Sequence, residues 1–232
     1  MNDMTPNEPT EAAAHSIPEN TQLVQLREAA AEAAAAPDLH ERVRVLTANA
    51  LHDRRISLED VRDIARAVTE GVGQGLTLRG GEMKSGLKQA VTGLDEAFGH
   101  AAQSASYTLR EAVDRGRAFQ DSELKMRLET LRDLESQFVD TLRATARESR
   151  GALRDELEHL AGHLKVAGTQ TGTQVREALT QMAGGLRHTA AAGREGLGES
   201  AGTTGERLAQ VASGVLAALA ESLKRQSERL RS

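Results

Sequence analysis

The sequence predicts an all-α protein, and three observations carry that expectation. The first is a row at eleven-residue spacing: Leu87, Phe98, Leu109, Gln120, Leu131, Leu142, Leu153, Leu164, Val175, Leu186, Leu197, Leu208, Leu219 and Leu230. Thirteen of these fourteen places are large and apolar. Eleven residues fill three turns at about 3.67 residues per turn, so the row keeps to one side of a nearly straight helix. The second is the absence of proline after Pro37, which leaves nothing to force a helix break. The third is composition: aromatics are 2% of the chain, and much of the 39% hydrophobic content is Ala, which buries little area. Such a chain suits helices packed through small side chains better than a large globular core.

Residues 1–20 contain three prolines, Asp3, Glu8, Glu11 and Glu19, and no Lys or Arg. They are expected to form a disordered tail. The stretch Met1-Asn2-Asp3-Met4-Thr5-Pro6 has no basic region followed by an apolar one, so no secretory signal is expected. A short helical segment should occupy 21–72 in three parts. Thr21 to Ala36 is Ala-rich and stops at Pro37. Asp38 with Glu41 has the capping-box pattern and opens a helix over 38–54 through Leu39, Val43, Leu46, Ala50 and Leu51. Ser57 with Asp60 does the same over 57–72 for Leu58, Val61, Ile64, Ala65 and Val68. These last two parts read as a helical hairpin with apolar faces inward.

Gly71, Gly73, Gly75, Gly80 and Gly81 then suggest a hinge over 73–81. A phosphate-cradling loop is excluded here. No strand precedes it, the spacing is not GxGxxG, and Lys84-Ser85 follows Met83 where a P-loop needs Gly.

Residues 82–232 form the amphipathic repeat array. Four places after each anchor lies a second row, with Val91, Val113, Leu157, Leu179 and Leu223 among its members. Only Glu135 and Gly168 interrupt that row. The place after the anchor is basic at Lys88, Arg110, Arg132, Arg143, Arg154, Lys165, Arg176, Arg187 and Arg231, at the edge of the apolar stripe. The next place is acidic at Glu111, Asp133, Asp155, Glu177, Glu199 and Glu221, which makes a 22-residue repeat with an 11-residue half-period. Arg117 to Arg150 has no Gly and should be the firmest helix, whereas twelve glycines fall between Gly151 and Gly214. Each costs about 1 kcal/mol in a helix relative to Ala. Gly193, Gly196, Gly198, Gly202 and Gly205 mark the expected bend, with Thr203 and Glu206 offering a fresh cap. A single rod would be roughly 225 Å long. A coiled coil or a bundle folded back on itself fits the pattern equally.

Basic residues at the stripe edge, acids at the centre of the polar face and the 11/22 period resemble exchangeable apolipoproteins. The Ala, Thr and Gly content from Gly151 to Gly214 is similar to late-embryogenesis proteins, perilipins and the phasins that coat polyester granules. The resemblance runs from Leu87 to Leu230 and is one of pattern. It implies reversible binding to an apolar lipid or polyester surface.

Other functions are disfavoured. Residues 1–20 carry −4 of the net −5, so the remaining chain is at −1 with both signs interleaved. That is a poor nucleic-acid ligand, because phosphate binding needs a net basic patch. The chain has no Cys, so disulfides, thiolate zinc sites and thiol nucleophiles are impossible. His159 and His163 are four apart with Glu156 on the same side, but Leu160 stands where HExxH needs Glu, and two solvated histidines are the expectation. No nucleophile–base–orienter set emerges, so neither an enzyme nor a cofactor is expected. The most apolar window, Val211 to Ala220, is about half of a spanning length, so transmembrane insertion is not expected.

Two readings of the stripe remain. In one it coats a lipid or polyester surface, with edge Arg and Lys reaching water. In the other it packs on itself as a hendecad coiled-coil scaffold. The apolar interface in either case is Leu87, Val91, Phe98, Leu109, Val113, Leu131, Leu142, Leu153, Leu157, Leu164, Val175, Leu179, Leu186, Leu197, Leu208, Leu219, Leu223 and Leu230. Both readings expect association with itself, as an oligomer or an internal bundle. They also expect a cytoplasmic location, free or peripheral to a membrane or inclusion surface.

Overall fold

A computed structural model describes residues 19–52, 56–114, 121–181 and Gly184. Among them are six helices: α1 (Glu19–Ala33), α2 (Leu39–Ala50), α3 (Leu58–Arg79), α4 (Met83–Asp114), α5 (Asp121–Glu148) and α6 (Gly151–Ala167). A further helical stretch, α7, covers 170–181. No strand occurs among the described residues. The tail at 1–18, the bend at Gly193–Gly205 and the cap at Thr203 lie outside the described residues.

The array does not run as a rod. The chain breaks at 149–150 and again at 168–169, and α4, α5 and α6 lie back against one another and against the first three helices. Much of the pairing is non-sequential: α1 lies on α3, α2 on α4, α3 on α5 as well as α4, and α6 on α4 as well as α5. This corrects the expected hairpin of the second and third helices, because α2 touches α3 only slightly. The apolar faces of α2 and α3 are both turned inward, but toward different partners. One apolar cluster runs through the whole assembly, from Leu26 on α1 to Leu179 on α7. At its centre Phe98 and Phe138 meet edge to face, with ring centroids 5.4 Å apart. That geometry suits two aromatic quadrupoles.

Glycines expected to form a hinge over 73–81 instead lie largely inside a helix. α3 is continuous to Arg79, and the turn is confined to Gly80–Glu82. Gly80 has φ 65°, the left-handed cap that Gly adopts without a Cβ penalty. Gly71 and Gly75 serve packing. A Cβ at either would overlap the carbonyl oxygen of Arg27 or Ala31 on α1, so their absence of side chain lets two backbones touch. The Ala-rich character of α1 has the same cause, since Ala30 and Ala33 are buried in this contact. At the other end of the pair, Arg79 donates to the Glu32 carbonyl (2.9 Å) and to that of Ala31 (3.4 Å). It thereby ties α3 to the end of α1, where the Ala31 and Glu32 carbonyls lie in the last turn and the latter also accepts from the Ala35 amide.

Ser57 caps α3 as its sequence pattern predicts. Its hydroxyl accepts from the Asp60 amide at 3.0 Å, and the Asp60 carboxylate accepts from the Ser57 amide at 3.0 Å. The matching pattern at Asp38 does not form. Asp38 makes no side-chain cap bond, and its carboxylate accepts from Arg42 at 2.8 Å instead. That bond to Arg42 also holds the Asp38 carboxyl below the ordinary carboxylate range.

Candidate functional site

The apolar row is mostly interior. Leu87, Val91, Phe98, Leu109, Leu131, Leu142, Leu157, Val175 and Leu179 are buried in the shared core. Leu153 and Leu164 are partly buried against it. Leu153 rests on α3, where a Cβ at Gly73 would come within 2.7 Å of both its methyl carbons. The side chain of Val113, and all of Leu186, Leu197, Leu208, Leu219, Leu223 and Leu230, lie outside the described residues. The eleven-residue period therefore survives two chain breaks: Leu142 on α5, Leu153 and Leu164 on α6 and Val175 on α7 all turn toward one core. Among the described residues the stripe is spent on holding the bundle together.

The richest polar constellation lies where α6 gives way to α7. The sequence there reads Gly168-Thr169-Gln170-Thr171-Gly172-Thr173. Gly168 has φ 83°, a region closed to most L side chains, and this ends α6. The four amides from Thr169 to Gly172 then have no ladder partner, as at any helix start. Each finds a side-chain acceptor. Glu135 on α5 accepts from the Thr169 amide and hydroxyl, both at 3.0 Å through Oε1. Asp95 on α4 accepts from the Gln170 amide (2.6 Å, Oδ2) and the Thr171 amide (2.8 Å, Oδ1). The Thr169 hydroxyl oxygen accepts from the Gly172 amide at 2.8 Å. The Thr171 hydroxyl donates back to the Asp95 carbonyl at 2.8 Å.

The electrostatics favour this arrangement. The N-terminus of a helix carries roughly half a positive charge, and two carboxylates sit on it. Arg176, one turn and a half into α7, lies 3.6 Å from the other Glu135 oxygen. Asp95 is only 8% exposed, so these amide bonds are what make its burial tolerable. Gly172 leaves room for the Glu135 carboxylate, which a Cβ there would displace from its present position. The constellation is a clasp: three helices meet at one short segment, and its polar groups are directed at each other.

The His159 and His163 side chains sit on the exposed face of α6. Among the described residues no group of three His, Asp or Glu side chains is placed to hold a metal ion. A shallow groove opens between α1 and α2 over Ile64, floored by Leu23, Leu26 and Leu46 and edged by Gln22, Gln25, Asn49 and His52. No helix among the described residues is long and apolar enough to cross a membrane.

Reading the sequence does not single out Asp95, Thr169 or Thr171. A signal was nevertheless present. The second row is interrupted at two places only, Glu135 and Gly168. Those two interruptions meet in space at the clasp.

The fold and this junction define a back-folded all-α helical bundle. Residues 16–225 match a family of unknown function, DUF6781, and the chain belongs to that family. No curated protein and no solved structure matches it.

Proposed function

We propose that the chain is a non-enzymatic structural and interaction protein. Its repeat array self-associates and coats an apolar surface of lipid or polyester, in a cytoplasmic setting. One observation carries the reading. The described part of the row is spent inside the bundle, yet the sequence continues the same row through Leu186, Leu197, Leu208, Leu219 and Leu230. Leu223 and Ala190, Ala201 and Ala212 continue the second row beside it. The described helices thus act as the anchor, and the continuing row as the part that meets a partner. Arg187 and Arg231 at the stripe edge can reach water while their stems cover apolar area.

A second reading rests on those same alanines. Small residues beside a Leu row permit close helix approach, so the continuing row would pair with that of another copy as a hendecad scaffold with no lipid binding.

The experiment compares the full chain with its Leu197→Asp/Leu208→Asp variant, by flotation with neutral and anionic vesicles and by sedimentation velocity. The coat predicts flotation on both vesicle types, retained in moderate salt because the drive is apolar, and lost in the variant. The scaffold predicts an oligomer that dissociates in the variant and never floats. A wild-type chain that neither floats nor associates would refute both.

A further inference from the structure

The α6–α7 break is built so that it can close into one helix. The ladder is intact up to the Gly168 amide, which donates to the Leu164 carbonyl at 2.9 Å. It resumes at the Thr173 amide, which donates to the Thr169 carbonyl at 3.1 Å. Only the four amides of residues 169–172 are diverted, and every one is held by Asp95, Glu135 or Thr169. In a continuous helix the same four amides would donate to the carbonyls of Lys165, Val166, Ala167 and Gly168. The number of backbone amides satisfied is therefore equal in the two forms.

The apolar pattern is equally indifferent. Leu164 and Val175 are eleven residues apart, as are Leu157 and Gly168, and Gly168 and Leu179. A helix running unbroken from 151 to 181 would carry Leu153, Leu164 and Val175 along one side with no change of register. The pattern therefore sets no obstacle to closure, although the same phase also runs from Leu142 to Leu153 across the α5–α6 break.

We infer that residues 168–172 are a two-position hinge, held in the broken form by the Asp95–Glu135 clasp and free to close into a single α6–α7 helix when the clasp is released. In the closed form Val175 and Leu179 leave the core, and everything beyond 172 is redirected along the axis of α6. Gly168 is the pivot. Its positive φ is needed only in the broken form, whereas the continuous form would accept any good helix former.

That asymmetry provides the test, made on the full chain by thermal melting and by backbone chemical shifts over 168–173. Gly168→Ala should lower the melting temperature of the otherwise unaltered protein, because Ala is strained at φ 83°. In an Asp95→Asn/Glu135→Gln background the same change should raise the melting temperature, and the Cα shifts of residues 168–170 should become helical. A Gly168→Ala effect of the same sign in both backgrounds, with non-helical shifts throughout, would overturn the hinge and leave a fixed cap. Should the double background fail to fold, chemical-exchange saturation transfer on the unaltered protein decides. A minor state with helical shifts at Gly168 and Thr169 supports the hinge, and its absence refutes it.

Discussion

Gly71→Ala and Gly75→Ala should destabilise the protein, although helix propensity says the opposite. In a free helix each change would gain about 1 kcal/mol. In α3 the new Cβ would lie 3.0 Å from Ala30 Cβ at position 71 and 2.7 Å from Ala34 Cβ at position 75. A backbone carbonyl oxygen of α1 lies nearer still in each case. Ordinary contact begins at 3.4 Å, so α1 must retreat by up to about 1 Å, and no side-chain rotation can relieve a clash with backbone. Overpacking of this kind costs about 1–3 kcal/mol, and the rigid partner puts these sites at the upper end. Net of the propensity gain, each substitution should cost about 1–2 kcal/mol, or about 2–8 °C in melting temperature for a chain of this size. Gly162→Ala is the internal control. That residue is inside α6 and exposed, and a Cβ there meets nothing within 4 Å. It should stabilise by about 0.5–1 kcal/mol. Circular dichroism melts of the three variants suffice. If all three raise the midpoint, the close approach of α1 and α3 is refuted.

Phe138→Ala, which removes a fully buried ring from the centre of the core, should cost about 3–5 kcal/mol in a urea titration. Ser57→Ala should cost about 1 kcal/mol through loss of the capping box, whereas Asp38→Ala, which loses only an exposed pair with Arg42 and no cap bond, should lower the midpoint by less. Leu153→Asp with Leu164→Asp places two charges against the core and should lower the melting temperature; an unaltered melt would show that these two row positions are not packed inward.

The helical class and most helix positions were legible because period and caps are local signals. Pro37, the Ser57–Asp60 pair and the Gly-free stretch ending at Arg150 all fall where helices begin, end or persist. Which helix packs on which was not legible. A 3.6-residue period says that a face is buried and not by what, and so α2 and α3 read as partners although each packs elsewhere. Glycine was the harder residue. Gly71 and Gly75 read as a hinge in sequence, since conformational freedom and absence of bulk look alike until a neighbouring backbone is seen. The clasp was half legible: Glu135 and Gly168 show as gaps in the second row, but Asp95 is one acid among many until its carboxylate is found on the amides of residues 75 and 76 places later.

The non-sequential pairing of helices bears on how the chain can be made. α1 is complete at Ala33, but its partner α3 ends 46 residues later, at Arg79. At about 5–20 residues per second of synthesis, α1 waits roughly 2–9 s before its interface with α3 can be complete. α2 waits for α4 and α3 for α5 in the same way, so several helices emerge before a partner that covers much of their apolar face. The Ala-rich face of α1 suits that delay. It is apolar enough to pack once a glycine-lined partner arrives, and too shallow to attract foreign surfaces while it stands alone.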